Sequence, residues 1–358
     1  MPPFSVAIYV GFGGDVGLGH LKRMMSVAAA LEERGYRVLF LTKRLSVGDE
    51  TIITDHGFGE VNVLPAMNDG QQLTPSIVDV LRKHGSIKTL IIDDYEAGWG
   101  IERALIDAGY KVVAIDDIKR KHHAGLLIDS KWRGHNTNTA YRDLVPQTCK
   151  CLLGPAYYLF DRIYCDGAGG YKKNVSNIDK SFVLLISLGG MPNLRLLRKV
   201  VEALIAEVFP FIDIDIRPVV GSQSEGLDTF QKFCHQHSII PVQHASSLRN
   251  YYQTSDLFIG AAGGSIYEAM LCGIPAVTFV VADNQKQERS FFEEIGHPHH
   301  FNEHFDDCRD EIIDRVIAIC KDYAGALGAL SLFRDYYDCQ GVYRVANSIY
   351  EYDQELMD

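Results

Sequence analysis

The stretch that decides the fold class is Ser5-Val-Ala-Ile-Tyr-Val10, then Gly11-Phe-Gly-Gly-Asp-Val-Gly-Leu-Gly-His20, then Leu21-Lys-Arg-Met-Met-Ser-Val-Ala-Ala-Ala30 and on to Thr42. Ser5 to Val10 is an apolar run of strand length. His20 to Arg34 is helical in pattern: Leu21, Met24, Met25, Ala28 and Leu31 recur at three- and four-residue steps, and Gly35 stops the run. Arg37 to Thr42 then supplies a second strand. A strand, a helix and a strand in this order form a βαβ unit, which builds a parallel sheet.

Working outward, the pattern repeats. Thr89 to Asp93, Lys111 to Ile115 and Leu126 to Asp129 are predicted strands, each ending in polar residues. A polar tract rich in Gly and Asn, from Asp166 to Lys180, reads as a linker. A second series follows, with strands expected at Phe182 to Leu188, Ile212 to Val220, Ile239 to Val242, Leu257 to Gly260 and Ala276 to Val281. The fold class is therefore α/β, with two Rossmann-like, doubly wound parallel-sheet domains and a ligand cleft expected between them. Residues 1–165 form the first domain, 166–180 the linker, 181–335 the second domain and 336–358 a helical tail. The length of 358 residues agrees with two domains of about 150 residues each.

Composition narrows the function classes. Apolar residues make up 47% and charged residues 23% of the chain, the balance of a globular enzyme. A net charge of −11 opposes a broad phosphate-tracking surface, so no nucleic-acid partner is expected. No apolar stretch is long enough to span a bilayer and the start, Met1-Pro-Pro-Phe-Ser5, does not read as a secretory signal, so the expectation is a cytoplasmic protein without membrane insertion. Eight cysteines without a CxxC read as reduced thiols. The oligomeric state cannot be read from these residues.

Two glycine-rich turns carry the chemistry. The loop Gly11 to Gly19 holds five glycines in nine positions and ends at a helix start, but lacks both the Walker lysine and the third glycine of a dinucleotide fingerprint. His20 closes it at the positive end of the helix dipole, which favours a neutral imidazole and hence a general base. Gly17, Gly19 and Arg23 on this loop and helix, with Asp94 and Asp117 at strand ends, are expected to face substrate, Arg23 alternatively pairing with a strand-end carboxylate. The second turn, Gly260-Ala-Ala-Gly263-Gly264-Ser265, opens a helix and offers amides and a hydroxyl to a diphosphate, with Glu268 one turn on for a ribose diol. A capping box of Ser265 and Glu268 uses the same residues. Gly189-Gly190 suggests close approach of backbone to ligand, or a plain turn. His297-Pro-His-His-Phe-Asn-Glu-His304 lacks metal-site spacing and reads as a solvated loop, and no metal or other cofactor is expected. His122-His123 remains ambiguous.

Gly17-Leu-Gly-His-Leu-Lys-Arg23, Ile92-Asp-Asp-Tyr95, Ile115-Asp-Asp-Ile-Lys-Arg-Lys-His-His123, Leu153-Gly-Pro-Ala-Tyr-Tyr158 and Gly263-Gly-Ser-Ile-Tyr-Glu-Ala269 with Asn284-Gln285 resemble, in this order, the UDP-2,4-diacetamido-2,4,6-trideoxy-beta-L-altropyranose hydrolase family of pseudaminic acid biosynthesis and related spore-coat polysaccharide proteins. The resemblance spans about residues 4 to 295. It implies a GT-B fold with UDP held by the C-terminal domain, catalytic residues at His20 and Tyr95, ribose binding at Glu268, diphosphate binding at Gly264 and Ser265, and sugar or phosphate contacts at Asn284 and Gln285. The implied activity is metal-independent, inverting hydrolysis of a UDP-linked sugar for a surface polysaccharide, with a GT-B glycosyltransferase as the alternative. The chain departs from the family at Met191-Pro192-Asn193, where Thr or Ser followed by Asp is common, and extends beyond it after about residue 300.

Overall fold

A computed structural model describes residues 5–11, 19–43, 53–54, 57–58, 61–64, 73–165, 181–189, 193–221, 226–243, 247–282, 285–286 and 289–355. The chain divides into two compact units, Met1–Asp161 with Asp338–Asp358, and Arg162–Tyr337.

In the first unit the described strands are β1 (Val6–Val10), β2 (Val38–Thr42), β3 (Val61–Val63), β4 (Thr89–Asp93), β5 (Lys111–Ile115), β6 (Leu126–Asp129) and β7 (Lys150–Leu153). They form one sheet in the order β3-β2-β1-β4-β5-β6-β7, parallel throughout. β1, β2, β4 and β5 are buried at every position, as expected of parallel strands covered on both faces. Helix α1 (Gly19–Glu32) packs one face with Leu21, Met24, Met25, Ala28 and Leu31 buried. It stops where the sequence predicts: Gly35 takes φ +85°, and its N–H and that of Tyr36 return to the carbonyls of Glu32 and Leu31.

β3 and β7 were not among the predicted strands, being short and not fully buried. The last helix, Gly341–Gln354, does not stand apart as a tail. Val342, Val345, Ala346 and Ile349 join the α1 face of the first core. The predicted linker 166–180 lies outside the described residues.

The second unit holds β8 (Phe182–Ser187), β9 (Ile214–Pro218), β10 (Leu257–Ala261), β11 (Ala276–Val280) and β12 (His300–His304), all parallel, in the order β12-β11-β10-β8-β9. Ile239 to Val242, expected as a strand, contributes a single bridge from Val242 to Val219. β12 corrects the solvated-loop reading of the histidine-rich segment: His297 and His300 are buried around the Thr278 hydroxyl, at 2.7 and 3.1 Å. Burial pushes both imidazoles below their ordinary range, His300 to about 4. Among the described residues no cluster of three or more His, Cys, Asp or Glu is disposed to hold a metal ion, and no single helix is long and apolar enough to cross a membrane. Cys149, Cys151, Cys234, Cys272, Cys308 and Cys320 are free thiols.

Each sheet reverses its winding direction once, between β1 and β4 in the first unit and between β8 and β10 in the second. The carboxyl ends of strands at such a switch point are where open α/β sheets bind ligands.

Candidate functional site

At the first switch point β4 ends on Asp93, which is fully buried, and α1 brings His20 and Arg23 to it, one turn apart. His20 Nδ1 lies 2.6 Å from Asp93 Oδ1. Arg23 Nε donates to Asp93 Oδ2 at 2.6 Å, a second guanidinium nitrogen reaches Oδ1, and Nη1 donates to Asp117 Oδ2 at 2.9 Å. The Tyr95 hydroxyl donates to Asp117 Oδ1 at 2.8 Å, and its ring stands edge-on to His20 with centroids 4.7 Å apart.

The electrostatics follow from these contacts. Burial alone would raise the Asp93 carboxyl; Arg23 and His20 outweigh it and hold it at about 2. Asp117 is likewise held below its ordinary range, the attraction of Arg23 and Lys131 exceeding the cost of burial. A buried carboxylate against Nδ1 selects the tautomer with the proton on Nδ1, which leaves Nε2 as the ring nitrogen with a lone pair. Such an arrangement can accept a proton at Nε2 while Asp93 stabilises the resulting charge.

Arg23 is thus engaged with both strand-end carboxylates. Asp94 turns the other way: its Oδ1 accepts from the N–H groups of Glu96 and Ala97 at 2.6 and 2.9 Å, closing the turn that carries Tyr95. Gly11 makes that turn possible, since a Cβ there would sit 2.3 Å from Asp94 Oδ2. Arg120 clamps the same turn through the carbonyls of Tyr95 and Asp94, at 2.5 and 2.7 Å.

At the second switch point Gly260 lets β10 approach β8, where a Cβ would meet the Ser187 carbonyl oxygen at 1.9 Å. Gly189, just past β8, takes φ +105°. The helix Gly264–Leu271 is capped by Gly263 without a side-chain acceptor. That removes the capping-box reading, because Ser265 lies inside the helix and Glu268 Oε2 instead accepts from the Tyr252 hydroxyl at 3.3 Å. Gln285 is brought to the same turn. Its Oε1 accepts from Val281 N–H at 2.9 Å, which leaves Nε2 3.9 Å from where a Gly263 side chain would begin. Gly263, Gly264, Ser265 and Gln285 together offer N–H and O–H donors beside the positive end of a helix dipole, an arrangement suited to an anion.

No family model matches the chain. A protein of Methanocaldococcus jannaschii described only as uncharacterized is 21% identical over 292 residues, covering 79% of this chain. The chain spans 57% of that relative's length. Among solved structures, MurG of Acinetobacter baumannii is 15% identical with a TM-score of 0.67, over 97% of this chain and 99% of its own. A UDP-glucosyltransferase from Polygonum tinctorium is 12% identical with a TM-score of 0.68, over 99% and 100%. A UDP-GlcNAc 2-epimerase from Neisseria meningitidis, solved bound to UDP-GlcNAc, is 13% identical with a TM-score of 0.63, over 97% and 99%. The fold is GT-B.

Within this GT-B chain the first unit brings together His20, Arg23, Asp117 and Tyr95, and the second brings together Gly263, Gly264, Ser265, Glu268 and Gln285. Gly19 opens α1 next to His20, with open space where its side chain would be. Gly17, Gly190 and Asn284 lie outside the described residues. Sequence reasoning passed over Asp93, Arg120 and Tyr252 as site residues. Asp93 was legible: neighbouring strand residues face opposite sides of a sheet, so of Asp93 and Asp94 only one can meet α1. Nothing local marks Tyr252, whose partner lies 16 positions away.

Proposed function

We propose that the chain is a UDP-sugar hydrolase, acting on a UDP-linked diacetamido-trideoxy sugar in the biosynthesis of pseudaminic acid or a related surface glycan. The observation that carries this reading is the His20–Asp93 pair at the switch point of the first sheet, a proton acceptor whose tautomer is fixed by a buried carboxylate. The motif resemblance supplies the substrate class, and the UDP-sugar enzymes among the fold neighbours support it.

In this reading His20 Nε2 takes a proton from water as the water oxygen attacks the anomeric carbon. The bond from that carbon to the UDP oxygen breaks, and UDP leaves with the electron pair. Attack opposite the leaving group inverts the centre. Tyr95 lines the base, Arg23 and Asp117 orient it and the sugar, and Gly17 and Gly19 shape the substrate side, with Asp94 acting only through the turn that carries Tyr95. The amides of Gly263, Gly264 and Ser265 receive the diphosphate and offset the charge that grows on the leaving oxygen. Glu268 binds the ribose hydroxyls, and Gly189, Gly190, Asn284 and Gln285 contact sugar or phosphate. A glycosyltransferase would use the same base on a sugar hydroxyl, a second reading favoured by the glycosyltransferases among the fold neighbours.

The test is incubation of the purified protein with UDP-sugars and no acceptor, following the anomeric proton by NMR. Release of UDP and free sugar of inverted configuration is the expected result. Turnover that appears only with an added carbohydrate acceptor makes the chain a transferase, and binding without turnover overturns both.

A further inference from the structure

His122, ambiguous in the sequence, is completely buried, and the chemistry proposed above leaves it without a role. It stands between two buried carboxylates. Nδ1 lies 2.6 Å from Glu102 Oε1, on the helix Trp99–Asp107, and Nε2 lies 3.2 Å from Asp116 Oδ2, at the end of β5. Glu102 also accepts from the His123 N–H at 2.6 Å, and the His122 N–H is tied to the Leu144 carbonyl at 2.8 Å. The other groups facing the ring are Tyr141, with ring centroids 6.4 Å away, and the Cys151 thiol. Arg120 Nε, 3.4 Å from Asp116 Oδ1, adds a positive charge beyond that carboxylate.

Asp116 is the hub of the loop that follows β5. Its oxygens accept from the N–H groups of Ile118 and Arg120 at 3.2 and 2.9 Å, and from the Tyr141 hydroxyl at 2.7 Å. The same loop forces Lys119 into the left-handed region, φ +58°, a conformation a non-glycine residue keeps only where its surroundings hold it. From this loop Asp117 reaches Arg23 and Tyr95, and Arg120 reaches the carbonyls of residues 94 and 95.

We infer that His122 is a positioning residue. Its imidazolium ties Glu102 to Asp116, and so holds the 116–120 loop in the shape that sets Asp117 and Arg120 around His20 and Tyr95. This deepens the proposed function and rests on it for its catalytic meaning. Charge balance supports the assignment: a neutral ring would leave two buried carboxylates facing each other with no cation between them. Burial opposes the imidazolium, but the attraction of the Asp116 and Glu102 carboxylates outweighs it and raises the group to about 9. A raised value stabilises the fold fully below the unfolded value of 6.5, and that contribution is lost as pH rises through about 9.

The test follows backbone hydrogen exchange of residues 116–121 between pH 7 and 10, corrected for intrinsic rates, alongside UDP-sugar turnover. In the wild type, protection of the Ile118 and Arg120 amides should fall with a midpoint near 9. His122→Gln should exchange about tenfold faster at these amides at pH 7 and show no midpoint. Its kcat should drop by up to about a hundredfold while UDP affinity stays unchanged. Glu102→Gln, which keeps the side-chain shape, should move the midpoint below that of the wild type. Unchanged protection at pH 7, or a midpoint near 9 that persists, in a folded His122→Gln variant overturns the inference. Should that variant not fold, an unmoved midpoint in Glu102→Gln overturns it instead. Wild-type exchange that titrates as described in a protein that turns over no UDP-sugar rejects the hydrolase reading and leaves the loop assignment standing.

Discussion

At the switch point of the N-terminal sheet the polar groups are side chains locked to one another; at that of the C-terminal sheet they are backbone amides at a helix start that has no side-chain cap among the described residues. Asp93, Asp117, His20, Arg23 and Tyr95 satisfy one another through side-chain hydrogen bonds at the first. Gly263 caps its helix with no side chain at all at the second. The same fold element thus serves two kinds of chemistry. Moving a proton requires a titratable group whose tautomer and charge are fixed beforehand, and fixing them takes a network. Holding an anion requires only donors and a dipole, and side chains there would fill the space the anion needs.

The sharpest way to break this contrast is His20→Ala. It should cost roughly two to four powers of ten in kcat, the range of a positioned general base, and leave UDP affinity intact by calorimetry. Loss of UDP binding in that variant would mean that the two roles are not divided between the units. Gly260→Ala strikes the other sheet. Its Cβ would lie 1.9 Å from the Ser187 carbonyl oxygen, so β10 and β8 must part, and destabilisation of about 1–3 kcal/mol is expected in the thermal unfolding of the second unit.

Acid probes the first unit. The buried Asp93 carboxyl is depressed from 3.8 to about 2, so its contribution, about 2 kcal/mol, is present above pH 3.8 and lost as pH falls through about 2. Asp93→Asn should flatten this part of the acid-unfolding curve, and an unaltered curve would remove Asp93 from the account. The smallest effect is expected at Ser265→Ala, about tenfold weaker UDP binding from one lost donor, with kcat for bound substrate nearly unchanged.

Much of the fold was legible in the sequence, because unbroken apolar runs and helical periodicity record burial on two faces and on one. Thr89 to Asp93, Lys111 to Ile115 and Leu126 to Asp129 are strands with the bounds their composition implies. β12 was not, since His300 and the polar residues after it carry no strand signal; what holds them is pairing with β11 and the Thr278 hydroxyl. The site was legible where a turn announces itself in glycines. It was not where a partner comes from far along the chain: Asp93 meets His20 across 73 positions and Arg23 across 70. Pairings of that kind are written in topology.

The closing helix of the first unit is held at its far end. Lys111 Nζ reaches the carbonyls of Tyr352, Asp353 and Glu355, the Asp353 carboxylate accepts from Tyr36 and Thr89, and Tyr352 fills the space left by Gly125. During synthesis the second unit, residues 162–337, has therefore left the ribosome whole before the first can finish folding. Until residue 354 emerges, the face of α1 that Val342, Val345, Ala346 and Ile349 will cover is open to chaperones.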